Sequence, residues 1–197
     1  MTVRDAKLDF AYDPGRRKST DYIILHHAAG DGSAEDVHNY HRLTNGWAGI
    51  AYHFYVDKLG GITKGRELDW AGGHTSGHHF DSVGVCFEGN FETDEMSEKQ
   101  LNAGAQLLRY LRETYPQAQV VTHGMLNETA CPGKNFPLGE MIARSEKEVP
   151  SEWARASVET WIRLGILKGD SEGVYGFDEP VTLERMIVLV DRAIRAL

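Results

Sequence analysis

Short apolar runs alternate with helix-patterned segments along the first 145 residues, and few folds accept that order. Tyr22 to His27 reads as an apolar strand. Ser33 to Thr44 reads as a helix, with Ser33 as its cap and Asp36 three residues on. Ala51 to Val56 is an aromatic-rich strand, and Asp57 to Gly61 is a turn that returns the chain through Ile62 to Lys64. Ser82 to Glu88 is a further strand. Ser97-Glu98-Lys99-Gln100 has the form of a capping box. It opens a helix whose Leu101, Ala105, Leu108, Leu111 and Tyr115 share one face, and Pro116 ends it. Gln119 to Thr122 is the last short strand, and it carries His123 at its end. A chain that switches period in this way builds an α/β fold: a mixed central sheet flanked by helices.

The pattern changes after Met141. Arg144 to Glu148 is charged and weakly apolar, as a linker would be. The spacing predicts two amphipathic helices beyond it, over Ser151 to Leu164 and Thr182 to Ile194. This divides the chain into a main domain, residues 1–145, and a small all-helical module, residues 149–197. So short a module buries little surface alone, so it should dock on the main domain or pair with another copy.

Charge and composition exclude several roles. The formal charge of −8 argues against a nucleic-acid partner, which needs a clustered basic surface. No apolar stretch approaches the ~20 residues of a membrane span. Met1 to Thr20 is polar and charged and lacks the apolar core of a secretory signal, so the protein is expected to be made in the cytoplasm without one. With two cysteines, Cys86 and Cys131, a disulfide framework is not expected. Cys86 lies in an apolar run and reads as a small buried hydrophobe. Cys131 sits in a loop with Pro132 and Gly133, where a thiolate can face a metal.

That cysteine follows His123 by eight residues, and a histidine pair, His26-His27, ends the first strand. Two imidazoles and a thiolate suit Zn2+. Structural zinc is closed by four protein ligands, whereas catalytic zinc keeps a position open for water. His26 and His27 point to opposite faces of a strand, so only one can join His123 and Cys131, and spacing does not choose between them. A purely structural metal would need a fourth ligand, for which His27 is the candidate. His53, inside an aromatic run, reads as a satisfied core histidine. His38 and His41 read as a solvated or groove-facing helix side. His74, in a long Gly-rich loop, is the histidine best suited to a cleft that contacts substrate.

Five segments in consistent order carry a resemblance: Ile24-Leu25-His26-His27-Ala28-Ala29-Gly30; Asn45-Gly46-Trp47; Ile50-Ala51-Tyr52-His53-Phe54; Ser82 to Phe91; and Thr122-His123-Gly124 with Ala130-Cys131-Pro132-Gly133. From about residue 20 to 142 the chain resembles the type 2 N-acetylmuramoyl-L-alanine amidases, which include phage lysozyme-amidases and peptidoglycan recognition proteins. The resemblance implies zinc ligands at His26, His123 and Cys131. It implies that Tyr52 faces the metal and helps stabilise the reacting carbonyl. Some phage members carry lysine two residues before the cysteine; here that position is Thr129, which is assigned a supporting catalytic role. Trp47 and Glu88 join His74 as candidate substrate contacts, and Glu88 is also a candidate for the acid that protonates the leaving amine.

The implied activity is zinc-dependent hydrolysis of the amide between N-acetylmuramic acid and L-alanine in bacterial peptidoglycan. The implied setting is a phage or prophage endolysin: bacteriolytic, antimicrobial, and acting at the wall after release. The alternative is a non-catalytic peptidoglycan-recognition protein, whose members commonly replace the metal cysteine. The tail resembles one repeat of an S-layer-homology module through Trp153-Ala154, Trp161 to Asp170 and Phe177 to Arg185, which implies binding of a secondary cell-wall polymer. Without that role, the tail is a helical cap that stabilises the enzyme.

Overall fold

The computed structural model describes residues 1–146, 154–169 and 181–195. The chain divides into two units, Met1–Ser145 and Glu146–Leu197.

Unit 1 is built on six strands: β1 (Val3–Asp5), β2 (Tyr22–His27), β3 (Phe54–Val56), β4 (Ile62–Lys64), β5 (Ser82–Phe87) and β6 (Gln119–Thr122). Their order across the sheet is β1-β4-β3-β5-β2-β6. β2 pairs in parallel with β5 and β6, β3 pairs in parallel with β5, and β3 with β4 form the antiparallel hairpin. The sheet is mixed, as the alternation of elements predicts. β1 was not expected, because its three residues are polar or exposed and carry no strand pattern. Pairing with β4 at the edge, rather than burial, places them in the sheet. The strand expected over residues 51–56 begins only at Phe54.

Strand periodicity divides the side chains between two faces. Ile23, Leu25, Phe54, Val56, Val83, Val85 and Phe87 share one core with Leu101, Leu107, Leu108 and Leu111 of α2 (Glu98–Thr114) and Met141 of α4 (Leu138–Ser145). Burying each such large side chain is worth about 1.5–3 kcal/mol before entropy is counted. The intervening positions look to the other face, where Tyr55 and Cys86 pack with Ala34 of α1 (Ala34–Asn39) and with Ile50.

Helix ends follow the sequence, with one departure. Ser33 caps α1 and forms the full capping box with Asp36. Ser97 accepts from the Gln100 amide at the start of α2, but the Gln100 side chain does not reach back to the cap. Its amide instead donates to Val56 O (3.1 Å) and Glu88 O (2.9 Å). Those two carbonyls end β3 and follow β5, and buried carbonyls need donors more than an exposed helix end does. α1 runs on into a π-helical turn, Tyr40–Thr44. That turn brings His41 inward. His38 and His41, expected on a solvated or groove-facing side, are not solvated, and His41 borders a groove with Tyr40 and Tyr52. The Nδ1 atoms of the two histidines accept the amides of Ile50 (3.2 Å) and Ala51 (3.1 Å).

Unit 2 contributes α5 (Arg155–Arg163) and α6 (Leu183–Arg195). The turn after α5 is tied by Ile166 N to Trp161 O (2.9 Å), and Arg192 of α6 donates to Ile166 O (3.3 Å). The expected pieces at Trp153, Asp170 and residues 177–180 lie outside the described residues. None of the described helices is long and apolar enough to cross a membrane.

Candidate metal centre

Parallel pairing of β2 and β6 aligns Leu25 with Thr122, so the next residues, His26 and His123, emerge side by side at the carboxyl ends of two neighbouring strands. Open α/β sheets place their sites at that edge. His123 opens α3 (His123–Leu126), and the loop after α3 folds back so that Gly124 N donates to Cys131 O (2.8 Å). One donor atom each from His26, His123 and Cys131 then lies within 4.8 Å of the others. The Cys131 Sγ to His26 Nδ1 distance is 3.7 Å. Zinc bond lengths of about 2.0–2.1 Å to nitrogen and 2.3 Å to sulfur imply roughly 3.4–3.7 Å between donors in a tetrahedral centre. The donor set and the 3.7 Å pair therefore fit zinc, and the full group, within 4.8 Å, is slightly wider than a filled tetrahedral centre. Among the described residues this is the only such group of metal-binding side chains.

His27 does not join them. It points to the α2 face, stacks on Phe91, and its Nδ1 accepts the Phe91 amide at 3.2 Å. A fourth protein ligand from the histidine pair is thus absent. The main chain of His27 contributes instead, through a hydrogen bond to Cys131.

Burial sets the protonation of the site. It holds the His26 imidazole well below the usual histidine range, with His123 and His27 adding repulsion. His123 is lowered as well, again by burial, although a bond to Asn127 opposes this. Both rings are therefore neutral at neutral pH, the form in which an imidazole can bind a metal. Burial pushes the Cys131 thiol up to about 11 when no metal is present. A bound cation reverses this, because a coordinating thiol is deprotonated.

Tyr52 packs its ring 5.1 Å from that of His26, between centroids. Burial, together with Cys86 and Cys131 nearby, raises its phenol well above the ordinary value, and its hydroxyl bonds to Cys86. It is a donor fixed in the protonated form. Thr129 lies at the exposed lip of the site and accepts from the Cys131 amide (3.3 Å). Trp47 is 42% exposed and reaches the centre only through a chain of rings: 4.8 Å to His41, then 5.8 Å from His41 to Tyr52. A groove of about 280 Å³ opens beside His41 and Tyr52, bordered also by Gly30, Asp36 and Tyr40. His74 is 7% exposed, not open in a cleft, and its Nδ1 lies 3.0 Å from His26 Nε2. Both Glu88 oxygens are taken by backbone amides, Gly32 at 3.1 Å and Lys58 at 2.9 Å, so this carboxylate ties loops together.

Sequence reasoning missed Asn127. Its Oδ1 is 3.2 Å from His123 Nε2, where it holds the imidazole by the nitrogen turned from the lone pair. An Asn four residues after a candidate ligand was the available signal.

Comparison with known proteins agrees with this geometry. The Amidase_2 family profile, described as N-acetylmuramoyl-L-alanine amidase, matches residues 16–134. An endolysin of Enterobacteria phage K11 is 30% identical over 150 residues, covering 72% of this chain and 95% of that protein. Peptidoglycan-recognition protein SC2 of Drosophila melanogaster is 28% identical over 130 residues, covering 58% of this chain and 69% of the relative. Among solved structures, the N-acetylmuramoyl-L-alanine amidase LysC from Clostridium intestinale URNW superposes with a TM-score of 0.70 at 29% identity, covering 73% of this chain and 97% of that one. The matched residues contain all three converging donors, and on that footing the chain belongs to the Amidase_2 family of N-acetylmuramoyl-L-alanine amidases.

Proposed function

We propose that this protein is a zinc-dependent endolysin that hydrolyses the amide between N-acetylmuramic acid and L-alanine in bacterial peptidoglycan. The observation that carries the reading is the convergence of His26, His123 and Cys131 beside a buried, protonated Tyr52. When bound, zinc supplies Lewis acidity toward a carbonyl oxygen and lowers the pKa of water toward ~7.

The chain's own residues supply the rest. His26, His123 and Cys131 would hold the cation by three ligands, one fewer than a closed structural site uses. The Tyr52 hydroxyl donates to the oxygen of the scissile carbonyl as negative charge develops there, and its raised pKa keeps the proton in place. In the free protein that hydrogen is directed to the Cys86 sulfur, so it turns from Cys86 to the carbonyl oxygen when substrate binds. The ring line from Tyr52 through His41 to exposed Trp47 offers an apolar floor for a glycan–peptide strand. Thr129 braces the loop that carries Cys131.

A non-catalytic recognition protein is the competing reading, since recognition proteins are among the relatives. The intact Cys131 thiol favours the hydrolase. We assign residues 149–197 to binding of a secondary wall polymer, on the S-layer-homology-like motifs of the sequence. Release to the wall after synthesis in the cytoplasm follows the endolysin reading.

Mass spectrometry of digested wall material tests the proposal. New amino termini on L-alanine are expected, and reducing sugar ends would show a glycosidase instead. Zinc should be recovered with the purified protein, and Cys131→Ser should lose both metal and turnover while keeping its far-ultraviolet circular dichroism.

A further inference from the structure

We infer that His74 is a positioning residue for the metal centre: it accepts a hydrogen bond from His26 and thereby fixes the tautomer that turns His26 Nδ1 toward the cation. The inference rests on the zinc reading above. It concerns a buried imidazole that the hydrolytic scheme does not use.

The argument runs through hydrogen directions. Ser82 Oγ donates its single hydrogen to His78 O at 2.5 Å. The same oxygen lies 3.4 Å from His74 Nε2 and can only accept from it. His74 therefore carries its hydrogen on Nε2, and its Nδ1 is an acceptor. That Nδ1 is 3.0 Å from His26 Nε2, so His26 must donate there. A neutral imidazole with Nε2–H has its lone pair on Nδ1, and His26 Nδ1 is the atom 3.7 Å from Cys131 Sγ. A backbone carbonyl outside the centre thus sets the state of a ligand three links away. The Thr75 hydroxyl, 2.9 Å from His74 Nδ1, donates to that same acceptor and shares it with His26, and as an acceptor for His26 it is more distant, at 3.4 Å.

The fold reserves space for this ring. A Cβ on Gly84, in β5, would stand 2.4 Å from His74 Cδ2, and one on Gly72 would stand 2.6 Å from the same atom. Both collisions are with a ring held on two sides by hydrogen bonds, which cannot swing away. Gly84 pairs in register with Ile24, two residues before His26, so the slot is tied to the strand that carries the ligand. Ligating histidines elsewhere gain orientation and basicity from an acceptor on their far nitrogen, and loss of that acceptor costs 10–100-fold in metal affinity.

The test compares full-length wild type, His74→Leu and His74→Asn by zinc competition with a fluorescent chelator at fixed pH. Leucine approximates the volume without an acceptor, while the Asn Oδ1 falls near the lost Nδ1. The expected zinc dissociation constant rises roughly 10–100-fold in His74→Leu and returns to within a few-fold of wild type in His74→Asn. The thiolate-to-metal band of the cobalt-loaded protein should shift in the first variant and recover in the second. Equal zinc affinity in all three proteins overturns the inference alone. So does a better result for leucine than for asparagine, which would make His74 mere packing. Wild type that binds zinc no better than Cys131→Ser overturns the metal centre and the inference together. If His74→Leu does not fold, long-range proton–nitrogen correlation on metal-free wild type decides: His26 protonated at Nε2 is expected, and protonation at Nδ1 overturns the inference.

Discussion

A phenol that burial keeps protonated can donate a hydrogen bond but cannot act as a base, and this defines what Tyr52 contributes. Tyr52→Phe should lower kcat roughly 10²-fold or more with KM little changed, since the donor acts on charge that exists only in the transition state. Steady-state kinetics on a soluble muramoyl peptide would check it, and an unchanged kcat would remove the hydroxyl from the chemistry. The buried histidines make a second prediction. Burial lowers His53 to about 3 and His41 to about 4, while both titrate near 6.5 once unfolded. Between those values the unfolded chain binds the proton and the folded one does not. Stability is therefore full above pH 6.5 and falls as pH drops toward 3, by up to roughly 1.4 kcal/mol per pH unit for each such imidazole. Urea midpoints measured in chelator, to separate out metal loss, should fall steadily below pH 6.5, and a flat profile would contradict it. His53 was legible as a core histidine from its aromatic surroundings, and it is fully buried between Trp70 O and the Gly84 amide. His74 looked like a cleft residue because glycine-rich loops usually lie open; here the glycines make room for a buried ring.

At the level of elements, α2 shows how much of a helix a sequence reveals. Its start, apolar stripe and end at Pro116 could all be read from spacing, because each rests on neighbours within one or two turns. The destination of the Gln100 side chain could not, since its acceptors belong to strands 12 and 44 residues away. Gln100→Ala should destabilise unit 1 by about 1–3 kcal/mol by taking the side-chain donor from the half-buried Glu88 carbonyl, whereas Val56 O keeps the Glu88 amide at 2.9 Å. Ser97→Ala removes the cap and an exposed hydroxyl bond to Lys58 O (2.6 Å), and should cost about 1 kcal/mol. Chemical denaturation of the two variants side by side checks the order, and a larger loss for Ser97→Ala would refute it. β1 escaped the sequence reading for the same reason: an exposed edge strand is defined by its partner β4 and not by its own pattern.

For the whole molecule, every residue of the candidate metal centre and its supporting hydrogen bonds lies within unit 1, residues 1–145. A protein ending at Glu146 should fold, bind zinc as the full chain does and cleave soluble muramoyl peptides at a similar rate, while binding intact walls less well. Thermal melting, chelator competition and wall pull-down would check the three parts, and gross unfolding would show that unit 2 is a stabilising cap. The sequence by itself determined the strand and helix alternation, the loop setting of Cys131, and a zinc-suited set of donors, because these depend on local period and residue chemistry. The choice of His26 over His27 by geometry, the meeting of His26 with His123, and the hydrogen-bond chain through His74 were decided only by the tertiary structure. The physical reason is register: parallel pairing of β2 with β5 and β6 sets which side chains share a face and an edge, and a slip of one residue would exchange the two histidines.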